Sequence, residues 1–141
     1  MTTGIRTFSI GDTEAVVALW HAAGLTRPWN DPHRDIERKL AVQPELFLVA
    51  EADGGVVGSV MAGYDGHRGW LYYLAADPDH RGRGIGRALV AEAEARLLAL
   101  GCPKVQLMVR PDNAAARGFY EALGYETFET WNTGKRLIPD G

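Results

Sequence analysis

The sequence predicts a mixed α/β fold, in which helices and strands are arranged around one sheet that contains one parallel strand pair. Three observations support this prediction. Short apolar segments with strand-like alternation are interspersed with segments of helical periodicity. Asp53-Gly54-Gly55 predicts a hairpin turn between two strands, which makes them antiparallel. A later pair of strands is joined through a long helix, a connection that favours parallel strands and a right-handed crossover.

The order of the elements follows from local signals. Asp12 is a good N-cap for a first helix, which Gly24 ends. Asp31 caps a second helix with Pro32 at its first position. The remaining predicted elements are strands at 5–10, 46–52, 56–65 and 70–76, a helix at 85–100, a strand at 104–109, a helix at 113–123, and strands at 125–130 and 135–138. The length of 141 residues suits one compact domain spanning 1–141.

Composition and charge restrict the class of protein. Hydrophobic residues make up 46% of the chain and charged residues 23%, values typical of a soluble globular protein. The formal charge of −3 gives no general attraction to nucleic acid or to an anionic membrane. The single cysteine, Cys102, cannot form an internal disulfide, and no apolar run is long enough to span a bilayer. The first residues lack the apolar core of a signal peptide, so we expect a cytoplasmic, bacterial-type protein.

The most informative segment joins the strand at 70–76 to the helix at 85–100. It contains alternating glycines and arginines, namely Arg81, Gly82, Arg83, Gly84, Gly86 and Arg87, with Ile85 among them. Glycine lets backbone N–H groups approach a ligand, and a helix N-terminus presents unpaired N–H groups with partial positive charge. This combination predicts a polyanionic, phosphate-containing ligand. A plain glycine-rich connector with solvated arginines is the alternative.

Two other phosphate-binding motifs fit this segment less well. A Rossmann fingerprint requires G-x-G-x-x-G and an acidic residue about 20 positions later. Here the third glycine comes one residue early, and the next strand ends in Val109-Arg110. A Walker loop requires Gly-Lys followed by Ser or Thr, whereas this chain has Gly86-Arg87-Ala88. Neither nucleotide-binding class is therefore favoured.

A second candidate site follows on the helix at 113–123. Asn113, Ala116 and Tyr120 are spaced so that they share one face of this helix. An extended ligand could lie along that face, hydrogen-bonded by the amide, accommodated by the alanine and met at its end by the phenol. The alternative is that Asn113 only caps the helix and Tyr120 is a half-buried aromatic residue.

With both segments in view, the sequence resembles the GNAT (Gcn5-related N-acetyltransferase) superfamily. Arg81-x-x-Gly84-x-Gly86 is similar to the family's Q/R-x-x-G-x-G/A motif, and Asn113-x-x-Ala116-x-x-x-Tyr120 falls within its second signature. Three further segments resemble the small bacterial YpeA-type acetyltransferases, at residues 27–32, 63–69 and 134–138.

The resemblance implies the acyl-CoA N-acyltransferase fold, a central, mostly antiparallel sheet flanked by helices. In this fold the one parallel strand pair splays apart, and acetyl-CoA is the co-substrate. Backbone groups of Leu74, Ala75 and Ala76 would bind the pantetheine, and N–H groups from Arg81 to Arg87 the pyrophosphate. Asn113 and Ala116 would complete the cofactor site, and Tyr120 would protonate the departing thiolate. A backbone N–H at 74–76 could stabilise the oxyanion.

Several assignments stay open at this level. Many relatives carry a carboxylate on the strand before the loop, whereas this chain has Trp70, Tyr72 and Tyr73 there, so no general base is assigned among Glu51, Asp65 and His67. Residues that could line an acceptor pocket are Trp29, Asn30 and Tyr64, although aromatic residues near turns also cover cores. The four histidines lack the close spacing of a helical metal site, so no metal is expected.

The expected activity is acetyl transfer from acetyl-CoA to a primary amine of a small molecule or peptide. Two rival functions stay open: a CoA-binding sensor module without catalysis, and an acyltransferase using another acyl-CoA. No nucleic-acid or membrane partner is expected. The acceptor stays open, as does the oligomeric state, with a homodimer as one option.

Overall fold

The structure is a computed structural model that describes residues 3–140. Residues 1, 2 and 141, which the predicted single domain includes, lie outside the described part. The chain divides into two compact units, one formed by residues up to 106 together with Asp140 and one by residues 107–139. Within residues 3–140, the first unit contains all of the sheet and three α-helices, whereas the second contains one α-helix.

The first unit is a five-stranded sheet with helices packed against it. Its strands are β1 (Gly4–Thr7), β2 (Phe47–Ala52), β3 (Gly55–Tyr64), β4 (Gly69–Ala76) and β5 (Val105–Gln106), and they lie in that order across the sheet. Neighbouring strands from β1 to β4 are antiparallel, and β4 and β5 are parallel. Its helices are α1 (Thr13–Ala22), α2 (Pro32–Ala41) and α3 (Ile85–Ala99). This confirms the predicted mixed sheet with one parallel pair.

The core of this unit is built from apolar residues of the central strands and of α1. Trp20 and Phe47 are fully buried, and the Phe47 ring stacks on Phe8 with a centroid distance of 4.3 Å. On α3, Ile85 and Leu89 are buried with three further residues of that helix: Val90, Ala93 and Leu97. Helical spacing in the sequence predicts one face with Ile85, Leu89, Ala93, Leu97 and Leu100. The first four are buried in α3, whereas Leu100, which follows the helix, is 49% exposed.

Gly58 allows α3 to lie close to the sheet. A Cβ at this position of β3 would come within 2.6 Å of Ile85 Cγ2 and 2.9 Å of Leu89 Cδ1. Such distances are shorter than any normal contact, so only a glycine fits here without displacing the helix. Since α3 begins directly after the glycine-rich segment, this contact also fixes where the helix N-terminus lies.

The second unit differs from the sequence prediction. Its helix, α4 (Ala114–Ala122), is present as expected, but no strand is assigned to residues 107–139, so the strands predicted at 125–130 and 135–138 are wrong. The strand predicted at 104–109 is reduced to β5, and the first strand is shorter than predicted. An alternating apolar pattern becomes a strand only where a neighbouring chain segment satisfies its backbone groups, which the pattern itself does not supply.

Candidate active site

The glycine-rich segment forms the start of α3. Gly82 and Gly84 both adopt left-handed backbone conformations, with φ of 81° and 71°. Gly84 is the N-cap of α3 and has no side chain with which to cap the first N–H groups of the helix. A helix that begins in this way presents those N–H groups and the positive end of its dipole. The arrangement is suited to an anion, as the sequence predicts.

The surroundings of these glycines leave room for a ligand. A Cβ at Gly82 or Gly84 would have no heavy atom within 4 Å, so backbone conformation and not crowding requires glycine here. Three arginine side chains are exposed around the same segment: Arg81, Arg83 and Arg87. Positive charge and backbone donors are therefore concentrated at one end of α3.

Strand β4 leads into this segment and is irregular at its centre. Ser59 pairs with Ala75 and Met61 with Tyr72, so β4 has one residue more than β3 between these pairs, which is a β-bulge. On its other side, β4 pairs with β5 only at Gly69 and Trp70. Within the described sheet, the edge of β4 at 74–76 has no strand partner on that side. Leu74, Ala75 and Ala76 thus lie where backbone groups could bind an extended ligand.

In the second unit, Asn113 is the N-cap of α4, and its Oδ1 accepts a hydrogen bond from Ala116 N at 3.1 Å. The capping role considered for Asn113 is therefore confirmed, and its carbonyl oxygen is occupied. Gly124 ends the helix with φ of 93°, and its N–H donates to Glu121 O at 3.0 Å.

Tyr120 lies on α4 and is half-buried. Its ring makes edge contacts with Phe119 and Tyr125, with centroid distances of 5.0 and 5.5 Å. Burial raises the pKa of the Tyr120 phenol from its ordinary value of 10.0 to about 12. The hydroxyl therefore carries its proton at neutral pH and is a weaker acid than an exposed phenol.

The three predicted acceptor residues lie at two places in the first unit. Trp29, 56% exposed, and Asn30, half-buried, lie between α1 and α2. Tyr64 ends β3, where the Gln43 side chain accepts from Tyr64 N at 2.9 Å and donates to Tyr64 O at 3.0 Å. Gln43 thereby fixes the backbone of Tyr64, a contact that the sequence did not reveal. The role of all three residues in acceptor binding remains a prediction.

Two carboxylates considered as general bases have firm partners. Glu51 accepts a hydrogen bond from Arg6 Nη2 at 2.6 Å, which lowers its pKa. Asp65 Oδ1 accepts from the backbone N–H of Arg68 at 2.7 Å and of His67 at 2.8 Å, and these bonds lower the pKa of Asp65. A carboxylate with a lowered pKa takes up a proton less readily, so both are weak candidates.

Neither a metal centre nor a membrane helix is found in the described part of the chain. Residues 3–140 contain no group of three or more histidine, cysteine, aspartate or glutamate side chains that could hold a metal ion. No helix in that range combines the length and the apolar character needed to cross a bilayer.

One feature near the site was not predicted. Tyr73, in the bulge of β4, has φ of 52°, which is rare for an aromatic residue. Its carbonyl oxygen accepts from the buried Ser59 hydroxyl at 2.9 Å. A serine within the otherwise apolar strand at 56–62 was the available signal, because a buried hydroxyl requires a partner. Sequence alone does not say which partner.

Comparison with known proteins identifies the family. Residues 15–125 match the Acetyltransferase (GNAT) family. An acetyltransferase of Pectobacterium atrosepticum is 60% identical over 136 residues, covering 96% of each chain. An uncharacterized N-acetyltransferase of Yersinia pestis is 59% identical over the same length and also covers 96% of each chain.

Solved structures of acetyltransferases share the fold. The ribosomal-protein-S18-alanine N-acetyltransferase of Escherichia coli has a TM-score of 0.73 and 26% identity, covering 87% of this chain and 77% of that one. An N-acetyltransferase of Thermoplasma acidophilum in complex with coenzyme A has a TM-score of 0.74 and 23% identity, covering 92% and 93%. With the family match extending over most of the sequence, the chain belongs to the GNAT acetyltransferase family.

Proposed function

We propose that this acetyltransferase is an N-acetyltransferase that transfers the acetyl group of acetyl-CoA to a primary amine by direct attack on the thioester. Residues 1–141 would work as a single catalytic domain. The observation that carries the proposal is the start of α3, where two left-handed glycines lead into a helix N-terminus surrounded by arginines. That arrangement suits the pyrophosphate of CoA.

The residues that would bind the cofactor lie on elements of the first unit and at the start of α4. Backbone N–H groups from Arg81 to Arg87 would bind the pyrophosphate, and the arginine side chains would supply further positive charge. The unpaired edge of β4 at 74–76 would bind the pantetheine through backbone hydrogen bonds. Asn113 would contribute its side-chain NH2, since its carbonyl oxygen already caps α4, and Ala116 would leave room for the chain.

The reaction requires few groups from the protein. A neutral amine attacks the thioester carbonyl, the C–N bond forms, and the carbonyl oxygen becomes an oxyanion that a backbone N–H at 74–76 can stabilise. The C–S bond then breaks, and Tyr120 donates its proton to the departing sulfur. The nitrogen loses one proton during the step, so the phenolate can be reprotonated and the products are an amide and a thiol. A positioned acid contributes about 10² to 10⁴ in rate.

The names of related proteins indicate which acceptors to test. One neighbour is the ribosomal-protein-S18-alanine N-acetyltransferase. Another is the aminoglycoside antibiotic 6'-N-acetyltransferase AAC(6')-IG of Acinetobacter haemolyticus, with a TM-score of 0.77 and 18% identity. Both names describe transfer to a nitrogen atom. We infer an amine acceptor for this chain without a preference between small molecule and peptide.

A thiol-release assay tests the proposal. The full chain is incubated with acetyl-CoA and a panel of polyamines, aminoglycosides, amino acids and peptides with free N-termini, and binding of CoA is measured by calorimetry. We expect binding and turnover of at least one amine. Binding without turnover on any acceptor would favour the sensor module. Faster turnover when a longer acyl-CoA replaces acetyl-CoA in the same assay would favour the other acyltransferase.

A further inference from the structure

The backbone of Tyr73 is held in an unfavourable conformation. Its φ of 52° lies in the left-handed region, which is unfavourable for a bulky residue. The strain falls at the bulge of β4, directly before Leu74, Ala75 and Ala76. Such strain persists only when surrounding contacts enforce it. The contacts of Tyr73 therefore show how the conformation of the β4 bulge is maintained.

Contacts with the buried core hold the backbone and ring of Tyr73. Its ring stacks on that of Trp20 with a centroid distance of 3.8 Å and an interplanar angle of 11°. Trp20 Nε1 donates to Ser59 Oγ at 2.8 Å, and Ser59 Oγ donates to Tyr73 O at 2.9 Å. Trp20 and Ser59 are both 0% exposed. Two buried residues thus secure the Tyr73 ring and its carbonyl oxygen together.

A further contact joins Tyr73 to helix α2. The Tyr73 hydroxyl donates to Asp35 Oδ2 at 2.6 Å, and burial together with this bond raises the pKa of the phenol. Arg38 Nη1 donates to Asp35 Oδ1 at 3.2 Å, and Arg38 also pairs with Asp140. Asp35 is therefore held in place by its own helix. The phenol is fixed at its far end and is not available as a proton acceptor.

We propose that Tyr73 is a positioning residue for acetyl transfer: its hydrogen bond to Asp35 holds the bulge of β4 so that a backbone N–H at 74–76 faces the thioester carbonyl. This inference rests on the proposed function. Donors to an oxyanion are effective only when their positions are fixed before the reaction, and small displacements are costly. Tyr73 itself neither touches the reacting atoms nor transfers a proton.

Two substitutions break the same bond from opposite ends. Tyr73→Phe retains the ring that stacks on Trp20, and Asp35→Ala changes a partly exposed residue of α2, so the protein can fold in either variant. Asp35→Asn retains an acceptor oxygen for the phenol. Glu37→Ala removes an exposed carboxylate from the same helix and serves as the matched control.

The readouts are kcat with the best amine of the panel and the Kd of CoA by calorimetry, whose stoichiometry gives the folded fraction. We expect Tyr73→Phe and Asp35→Ala each to lower kcat about 10- to 100-fold with the Kd of CoA unchanged. Both variants lose the same hydrogen bond between Tyr73 and Asp35. The double variant should therefore have a kcat no lower than that of either single variant. Asp35→Asn should retain most of the wild-type kcat, and Glu37→Ala all of it.

Outcomes that contradict the positioning role of Tyr73 differ from those that contradict the proposed function. If the wild type turns over an amine and Tyr73→Phe has the same kcat, the positioning role is wrong while the proposed function stands. A fall in kcat that only follows the folded fraction, or a double variant with additive losses, would also overturn it. A wild type that turns over no acceptor overturns the proposed function, and the inference with it.

Discussion

Gly84 and Gly24 provide a matched pair for testing the anion site. Both are helix-terminal glycines with left-handed backbones, with φ of 71° and 72°, and a Cβ at either would have no heavy atom within 4 Å. Gly84 begins α3, whereas Gly24 follows α1 and lies outside the proposed cofactor site. Alanine at either position therefore imposes the same backbone cost, but only Gly84→Ala places a methyl group where we expect the pyrophosphate.

The substitution has two expected effects, a loss of stability from the left-handed backbone and a loss of affinity for CoA, and each has its own magnitude. The left-handed conformation costs alanine about 1–2 kcal/mol, which corresponds to a decrease in Tm of roughly 3–6 °C in both variants. Loss of one charge-assisted hydrogen bond to the pyrophosphate costs about 1.5–3 kcal/mol, so Gly84→Ala should raise the Kd of CoA about 10- to 100-fold. Gly24→Ala should bind CoA as the wild type does.

Calorimetric titration with CoA and thermal denaturation of both variants are the measurements. If Gly84→Ala and Gly24→Ala lose equal stability and both retain wild-type affinity, the segment at 81–87 is only a connector. Equal loss of affinity in both variants would show that the effect comes from backbone strain and not from the ligand.

Three further predictions concern α4 and the packing of α3. Tyr120→Phe should lower kcat by about 10² or more with the Kd of CoA unchanged. The control Tyr125→Phe keeps its ring in contact with Tyr120 and should have the wild-type kcat. If Tyr120→Phe also has the wild-type kcat, the phenol takes no part in the mechanism. Burial favours the neutral phenol of Tyr120 and raises its pKa from 10.0 to about 12. The contribution of this group to the free energy of unfolding is therefore complete below pH 10 and is lost as the pH rises from 10 to about 12. Chemical denaturation across that range should show a smaller alkaline decrease in the free energy of unfolding for Tyr120→Phe, and an identical decrease would contradict the burial of the phenol. Gly58→Ala should lower the free energy of unfolding by about 1–3 kcal/mol through overpacking against α3. The control is Gly55→Ala, whose Cβ would have no neighbour within 4 Å. Equal denaturation midpoints for the two variants would contradict the close packing of α3 on Gly58.

Local signals predicted the elements of the first unit well. Asp31 accepts a hydrogen bond from His33 N at 2.9 Å and caps α2, as its place before Pro32 predicts. The predicted end of α1 was also right, with Gly24 in the left-handed conformation. Asp12 shows the limit of such signals: its carboxylate bonds Arg6 and the N–H of Ser9 instead of capping α1 through its side chain. Capping depends on neighbours in sequence, but a carboxylate also bonds whatever the fold brings near it.

By itself, the sequence determined that this chain has a mixed sheet, where its helices begin and end, and that a glycine-rich turn with arginines precedes α3. These features depend on residues within a few positions of one another, whose backbone preferences act locally. Only the tertiary structure decided that Tyr73 would adopt a left-handed conformation, because Trp20, Asp35 and Ser59 lie 53, 38 and 14 residues from it along the chain. It likewise decided that the pattern at 125–138 would not form strands, since a strand requires a partner that its own residues cannot provide.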